Sequence, residues 1–221
     1  YLDNLLCTKL PRQGRITLAY ALLPDGKVLS EFTVARLADD HFYLVGAAGA
    51  EWHDLDVLEA ALPSDGSVTL HNISKDFGSL VLVGPHAREV LAKVTSSGLD
   101  NESFPWLSVR DIDTAVGSVR TLRVGYVGEL GWELHVPTEY ATHVYDTLRA
   151  AGFDVVHASY FNWIGAIGWY VFGRLLRRGH ITKLATRGYE MVSALQSLEE
   201  RVDFGFGLST IVVGRRRSRA S

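Results

Sequence analysis

This 221-residue chain is poor in cysteine and methionine, and each scarcity limits what it can be. With a single cysteine, Cys7, it can form no intrachain disulfide and no cysteine-based metal cage. The eight histidines show no metal-ligand spacing, so we predict that the chain holds no metal. Met191 is the only methionine and the first residue is Tyr1, which indicates a fragment or a processed product with part of the fold upstream.

Three catalytic or cofactor motifs are also missing. There is no Gly-x-Ser-x-Gly turn for a serine nucleophile, no Gly-x-x-x-x-Gly-Lys phosphate loop, and no Gly-x-Gly-x-x-Gly dinucleotide fingerprint. Asp76-Phe77-Gly78 matches three letters of a kinase signature, but the rest of that signature is absent, so we interpret it as a loop. The chain itself therefore shows no flavin- or nicotinamide-binding unit.

Charge divides the chain into two parts. Residues 1–157 contain 12 Lys and Arg against 21 Asp and Glu, whereas residues 158–221 contain 10 against 4. The acidic body argues against nucleic-acid binding, and we interpret the short basic run at 215–219 as a solvated tail. Residues 160–173 carry no charge, but 14 residues are too few to span a bilayer. We predict a buried helix there, with a membrane-surface segment as the alternative.

Periodicity and turn signals predict an α+β fold with antiparallel sheets and packed helices. Strands at Arg15–Leu22, Lys27–Leu37 and His41–Val45 are joined by short turns, which indicates a meander. Further segments with a strand or helix pattern follow: a helix at 51–62, strands at 68–73 and 80–83, a helix from Pro85, strands at 118–124 and 132–136, and a helix capped by Thr138 with Tyr140, Val144, Tyr145 and Leu148 towards the core.

The stretch with the most chemical promise is Gly125-Tyr126-Val127-Gly128-Glu129-Leu130-Gly131-Trp132-Glu133-Leu134. A glycine-rich turn can gather Tyr126, Glu129 and Glu133 around one small volume. A carboxylate there could accept two parallel N–H bonds from the amidine-like edge of a flat ring such as a pterin. The alternative is an ordinary turn between two strands with solvated glutamates.

Glu31 is a second candidate, on the returning strand of the meander. If it faces a cleft beside the Tyr126 turn, partial burial would raise its pKa and suit it to proton transfer. If it faces outward, it is an ordinary strand residue.

Several segments together resemble one known family. They are Asp3-Asn4-Leu5, Gly14-Arg15-Ile16-Thr17-Leu18-Ala19-Tyr20, Phe32-Thr33-Val34-Ala35-Arg36-Leu37, Phe42-Tyr43-Leu44-Val45, His53-Asp54-Leu55-Asp56, Leu82-Val83-Gly84-Pro85-His86-Ala87-Arg88, and the 125–134 stretch. Over roughly residues 1–157 the chain resembles the folate-binding half of dimethylglycine and sarcosine dehydrogenases, which is related to the T-protein (aminomethyltransferase) of the glycine cleavage system.

The resemblance implies a T-protein-like fold, truncated here, that binds tetrahydrofolate. It implies a function in capturing the one-carbon unit released by oxidative N-demethylation of dimethylglycine or sarcosine. FAD would belong only to a missing upstream flavin domain, a partner region of the parent protein. The implied location is the cytoplasm or the mitochondrial matrix, with no nucleic-acid or membrane partner.

Site residues follow by resemblance, position by position. Glu133 matches the carboxylate that grips the pterin edge, and Tyr126 matches the tyrosine that lines the same pocket. Glu31 matches an acidic residue near the reacting nitrogen, often aspartate in relatives, which helps to organise or deprotonate the folate amine. Arg174 is the candidate for the arginine that holds the glutamate tail. Glu129 is assigned no contact and shapes the turn.

Residues 158–221 depart from the family pattern and coincide with the change in charge, so we interpret them as a diverged segment. Three alternative functions stay open. They are an aminomethyltransferase that acts on a lipoyl carrier protein, a non-catalytic folate-binding protein, and an inactive relic. The iron–sulfur-assembly branch of the superfamily carries a Lys-Gly-Cys-Tyr-x-Gly-Gln signature, which is absent here.

Overall fold

The computed structural model describes residues 1–151 and the backbone of residues 153–161 and 209–216. Its helices are α1 (Leu2–Leu5), α2 (Glu51–Ala60), α3 (Ala87–Leu91) and α4 (Ala141–Ala150), and its strands are β1 (Ile16–Leu22), β2 (Val28–Arg36), β3 (Phe42–Val45), β4 (Phe77–Val83), β5 (Val109–Thr114), β6 (Gly117–Leu122), β7 (Gly131–Pro137), β8 (Phe153–Phe161) and β9 (Ser209–Arg216). Short 3₁₀ turns precede α2 and α4.

The first sheet is the meander that the sequence predicts, in the order β1-β2-β3 with antiparallel pairing. Gly26 permits the tight turn between β1 and β2 because it adopts a φ of 81°, and the Asp25 carboxylate accepts a hydrogen bond from the Lys27 backbone N–H. The register places Tyr20 opposite Glu31, and Ala35 opposite Tyr43.

The second sheet has the order β4-β7-β6-β5, again with antiparallel neighbours. Strand β7 is central, so both of its edges are paired with neighbouring strands. Val81 of β4 lies opposite Glu133 of β7, and Arg120 of β6 lies opposite His135 of β7. Helices α3 and α4 pack against β4 and β7.

Two apolar clusters cover the two faces of the first sheet. On one face, helix α1 and Leu58 of α2 pack against the sheet through Leu2, Leu6, Ala19, Ala21, Phe32, Val34 and Leu58. On the other face, the first sheet packs against the second through Ile16, Ala35, Tyr43, Val109 and Leu122. The space between the two sheets is therefore apolar at this point, and the candidate site borders it.

The chain divides into two compact units. The first consists of Tyr1–Ala47 and Val57–Gly152 and contains both sheets described above. The second consists of Ala48–Asp56 and Phe153–Ser221, and in it β8 and β9 form an antiparallel pair. The predicted domain boundary at residue 157 lies within β8 and stays a prediction. The helix predicted over 160–173 begins in β8, and its remainder lies outside the described residues.

Four local expectations are wrong, and one strand was not predicted. Phe77 and Gly78, interpreted as part of a loop, begin β4. Thr138 does not cap a helix, because its hydroxyl donates to the Lys75 carbonyl. The predicted strand at 68–73 pairs with no strand in the described part of the chain. Strand β5 was not anticipated, because its buried residues Val109 and Ile112 do not alternate with polar ones. Tyr140 is 44% exposed rather than in the core, because it occupies the N-cap position before the first residue of α4.

Candidate functional site

Strand β7 carries different chemistry on its two faces. Trp132, Leu134 and Val136 are completely buried on one face. Glu133 and His135 lie on the other, because successive strand residues point to opposite sides. This face borders the space between the two sheets, so the strand pattern alone places two titratable side chains there.

Glu133 is largely removed from water, with 15% of its side chain exposed. Its Oε2 lies 3.5 Å from Nε2 of His135, whose side chain is 6% exposed. Within residues 1–151, no lysine or arginine lies within ion-pair distance of Glu133. A carboxylate in this position keeps hydrogen-bond acceptor capacity that the protein does not use, and burial makes that capacity costly to leave unmet.

His135 is in turn held by Tyr43 of β3. The Tyr43 hydroxyl lies 2.8 Å from Nδ1 of His135, and the two rings meet edge to face with centroids 5.5 Å apart. Burial raises the pKa of the Tyr43 hydroxyl; Arg120 opposes this shift, and the carboxylates of Asp111 and Glu133 add to it. Tyr43 is therefore protonated at neutral pH and can donate a hydrogen bond.

The predicted turn is built by glycine. Gly128 adopts a φ of 75°, a conformation that side chains disfavour, and a Cβ at Gly125 would stand 3.0 Å from the Glu129 carbonyl oxygen. The Tyr126 ring on this turn is 71% exposed. Its hydroxyl nevertheless lies 3.0 Å from Oγ1 of the buried Thr33 on β2, so the ring is held at its tip.

Glu31 is exposed, although Thr33 and Ala35 on the same face of β2 are buried. It lies opposite Tyr20 in the register. A hydrogen bond to the Glu31 carboxylate raises the pKa of Tyr20, with smaller contributions from burial and from the charges of Glu31 and Tyr126. The inward, partly buried setting considered for Glu31 is therefore not the one observed.

Three of the four predicted site residues lie on the facing sides of the two sheets, where the contacts place them in two groups. Tyr126 contacts Thr33 of β2, two residues along the strand from Glu31, whereas Glu133 lies beside His135, which Tyr43 of β3 holds. Glu129 is exposed on the turn. Arg174 lies outside the described residues.

Sequence reasoning missed the residues that support the site. His135 was available from the alternation on β7, because it shares a face with Glu133. Tyr20, Thr33 and Tyr43 carried no local signal, because their relation to the site depends on strand register and on how the two sheets face each other.

The face around Glu133 is open on the side of β4. Val81, opposite Glu133, is 64% exposed, and Val83 is 42% exposed. Two exposed valines beside a largely buried carboxylate suit a flat ligand with a polar edge. An open cavity of about 350 Å³ lies elsewhere among the described residues, lined by Tyr1, Asn4, Leu5, Ala61, Pro63, Ser67 and Val68, and it includes none of the predicted site residues.

Metal and membrane features can be checked in the described part of the chain. No three His, Cys, Asp or Glu side chains are grouped there so as to hold a metal ion. No helix among these residues is long and apolar enough to cross a membrane.

Comparison with known proteins finds a consistent set of similarities. Residues 1–162 match the GCVT N-terminal domain family. The chain is 36% identical over 152 residues to mitochondrial dimethylglycine dehydrogenase of Mus musculus, covering 68% of this chain and 18% of that protein. It is 33% identical over 141 residues to mitochondrial sarcosine dehydrogenase of Homo sapiens, covering 58% and 15%.

A solved structure shows the same fold. The glycine cleavage system aminomethyltransferase T from Bartonella henselae superposes with a TM-score of 0.51 at 24% identity, covering 67% of this chain and 39% of that one. This confirms the predicted α+β, T-protein-like architecture. The chain spans less than a fifth of the length of the two dehydrogenases that it matches.

Proposed function

Because the chain belongs to the GCVT N-terminal domain family over residues 1–162, we propose that it binds tetrahydrofolate with Glu133 as its anchor. The family resemblance expected from the sequence is confirmed. We propose further that the bound folate takes up a one-carbon unit from oxidative N-demethylation of dimethylglycine or sarcosine. Tetrahydrofolate would supply the nucleophilic nitrogens for that capture.

The observation that carries the proposal is the environment of Glu133. Its carboxylate is 15% exposed, and the polar group beside it within residues 1–151 is Nε2 of His135, 3.5 Å away, with no lysine or arginine of these residues within ion-pair distance. The 2-amino and ring N–H groups of a reduced pterin present two parallel donors, the arrangement that a carboxylate accepts from arginine. Binding there would satisfy a carboxylate that has no cationic side chain beside it within residues 1–151.

The remaining roles follow from position. The Tyr126 ring, held by Thr33, would flank the pterin, and the exposed valines on β4 would contact the opposite side. Glu31 would organise or deprotonate the folate amine; since it is exposed, a bound ligand must cover it for its basicity to matter. Arg174 is proposed for the glutamate tail and lies outside the described residues.

The wider context is also a proposal. The dehydrogenases that this chain matches are several times longer, so we propose that FAD chemistry belongs to another region of a longer parent protein. We propose residues 1–157 as the folate-binding domain and residues 158–221 as a diverged segment. The mitochondrial names of the relatives support a location in the mitochondrial matrix.

Isothermal titration with tetrahydrofolate tests the proposal. We expect saturable binding of the wild-type chain at ligand concentrations up to about 1 mM. Glu133→Gln should weaken binding by about tenfold or more, because hydrogen bonds to a charged group contribute about 1.5–3 kcal/mol.

The matched control is Glu129→Gln, which is exposed on the turn that precedes β7. It should change the dissociation constant by less than about twofold, since exposed charges contribute little. Folded wild-type protein that gives no heat would refute folate binding, and equal losses in the two variants would refute the role of Glu133.

A further inference from the structure

We propose that His135 is a positioning residue, held by Tyr43 in the form that carries its proton on Nε2, and that it orients the Glu133 carboxylate for its ligand. The role in ligand binding rests on the proposed function. The orientation of His135 and its protonated nitrogen do not, because they follow from the contacts of the free chain.

The geometry around His135 is asymmetric. Nδ1 lies 2.8 Å from the Tyr43 hydroxyl, a full hydrogen bond. Nε2 is buried, has no hydrogen-bond partner, and lies 3.5 Å from Oε2 of Glu133. Nothing else in this region explains why the fold buries an unpartnered nitrogen next to a carboxylate.

Only one neutral form of the imidazole fits these neighbours. If Nδ1 carried the proton, the lone pair of Nε2 would face the carboxylate oxygen and repel it. If the Tyr43 hydroxyl donates to Nδ1, the proton is on Nε2 and points towards Glu133. Tyr43 can donate because its hydroxyl remains protonated.

The elements that surround His135 favour this arrangement. Across β6, Arg120 lies opposite His135, stacks over the Tyr43 ring at 5.0 Å, and pairs with Asp111 of β5 at 3.1 Å. Across β4, the opposing residue is Ser79, which does not titrate. Because Arg120 is engaged by Asp111, the group that faces the Glu133 carboxylate is the imidazole.

Positioning matters because a glutamate side chain rotates about three bonds. A carboxylate that already faces the ligand loses less rotational freedom when the ligand binds, so affinity rises without a new ligand contact. His135, which is buried beside Glu133, would supply this preorganisation without itself contacting the ligand.

Nitrogen-15 NMR of histidine-labelled protein tests the form of His135 without any ligand. The signal is assigned by its loss in His135→Gln, which separates it from the other seven histidines. We expect the Nε2-protonated form in the wild type and a mixture of forms in Tyr43→Phe. A wild-type signal from the Nδ1-protonated form would overturn the proposal.

Titration with tetrahydrofolate then tests the effect on Glu133. His135→Leu should weaken binding by about tenfold, whereas His135→Gln, which keeps an N–H near the position of Nε2, should stay within about threefold of the wild type. In a Glu133→Gln background, His135→Leu should cause no further loss.

Each outcome decides a separate question. If His135→Leu and His135→Gln weaken tetrahydrofolate binding equally, His135 is merely structural. The same conclusion follows if His135→Leu weakens binding as much in the Glu133→Gln background as in the wild type. If the wild type gives the expected NMR signal but binds no tetrahydrofolate, the proposed function fails while the orientation of His135 towards Glu133 stands. Thermal unfolding of every variant confirms that each is folded.

Discussion

The two faces of strand β7 are almost equally buried, yet they have different roles. Trp132, Leu134 and Val136 fill the apolar space below α3 and α4. Glu133 and His135 are nearly as hidden, but they hold charge and hydrogen-bonding groups against the first sheet. Burial therefore does not separate core from site here; what separates them is whether the buried group has unmet bonding capacity.

The largest expected effect tests the apolar face. Leu134→Ala should lower the free energy of unfolding by about 3 kcal/mol, because it removes a completely buried side chain and leaves a cavity. Urea denaturation measures this loss. Tetrahydrofolate affinity of the folded protein should remain within about twofold of the wild type, given the opposite direction of the side chain. A large loss of affinity at unchanged stability would break the division between the two faces.

A smaller change in stability is expected where strand β2 contacts the Tyr126 turn. Thr33→Val removes the partner of the Tyr126 hydroxyl and should lower the free energy of unfolding by about 1 kcal/mol. Thr17→Val on β1 is the control, since its hydroxyl bonds only the neighbouring Leu18 carbonyl. If the two variants unfold at the same urea concentration, the contact between Thr33 and Tyr126 does not stabilise the turn.

Glu31 is exposed on strand β2 and interacts with Tyr20 of β1. Glu31→Gln should lower the pKa of Tyr20 towards its ordinary value, because the amide is a weaker acceptor and carries no charge to disfavour the phenolate. Absorbance titration at alkaline pH, with Tyr20→Phe used to identify the signal, measures the shift. An unchanged titration would remove Glu31 from the cluster with Tyr20.

The smallest change in stability is expected outside both faces of β7, in the loop before β5. Hydrogen bonds from the Ser103 hydroxyl and from the Ser103 and Glu102 backbone lower the pKa of Asp100 to about 2. This contribution to stability is present above the unfolded pKa near 3.8 and is lost as pH falls through the folded value. Asp100→Asn should be less stable than the wild type at pH 6, and the difference should shrink towards pH 2.

Thermal unfolding across this pH range provides the measurement. A constant difference between the Asp100→Asn variant and the wild type would contradict the assigned cause. Tetrahydrofolate affinity at pH 7 should not change, since this loop contains none of the site residues.

How far the sequence predicts this molecule depends on how local each signal is. The meander follows from the Pro24-Asp25-Gly26 turn, and the two faces of β7 follow from alternation. Strand β5 was missed because its buried pair is three residues apart. The strand expected at 68–73 has the right pattern but pairs with no strand among the residues that the structure describes.

The site divides in the same way. Glu133 and Tyr126 belong to one short motif, and that motif alone makes them candidates. Tyr43 reaches His135 only through the register of β2 and β3 and the packing of two sheets, which depends on contacts about 90 residues apart in the chain. The sequence pattern therefore indicates Glu133 as the candidate carboxylate, whereas the residues that support Glu133 can be identified only from the fold.

The most direct test of the central claim compares ligand edges. Tetrahydrofolate and an analogue with hydrogen in place of the 2-amino group are titrated against the wild type and Glu133→Gln. If Glu133 grips that edge, the wild type should lose about tenfold in affinity for the analogue, and the variant less than about twofold. Equal losses in the two proteins would show that the pterin edge is held by some other group.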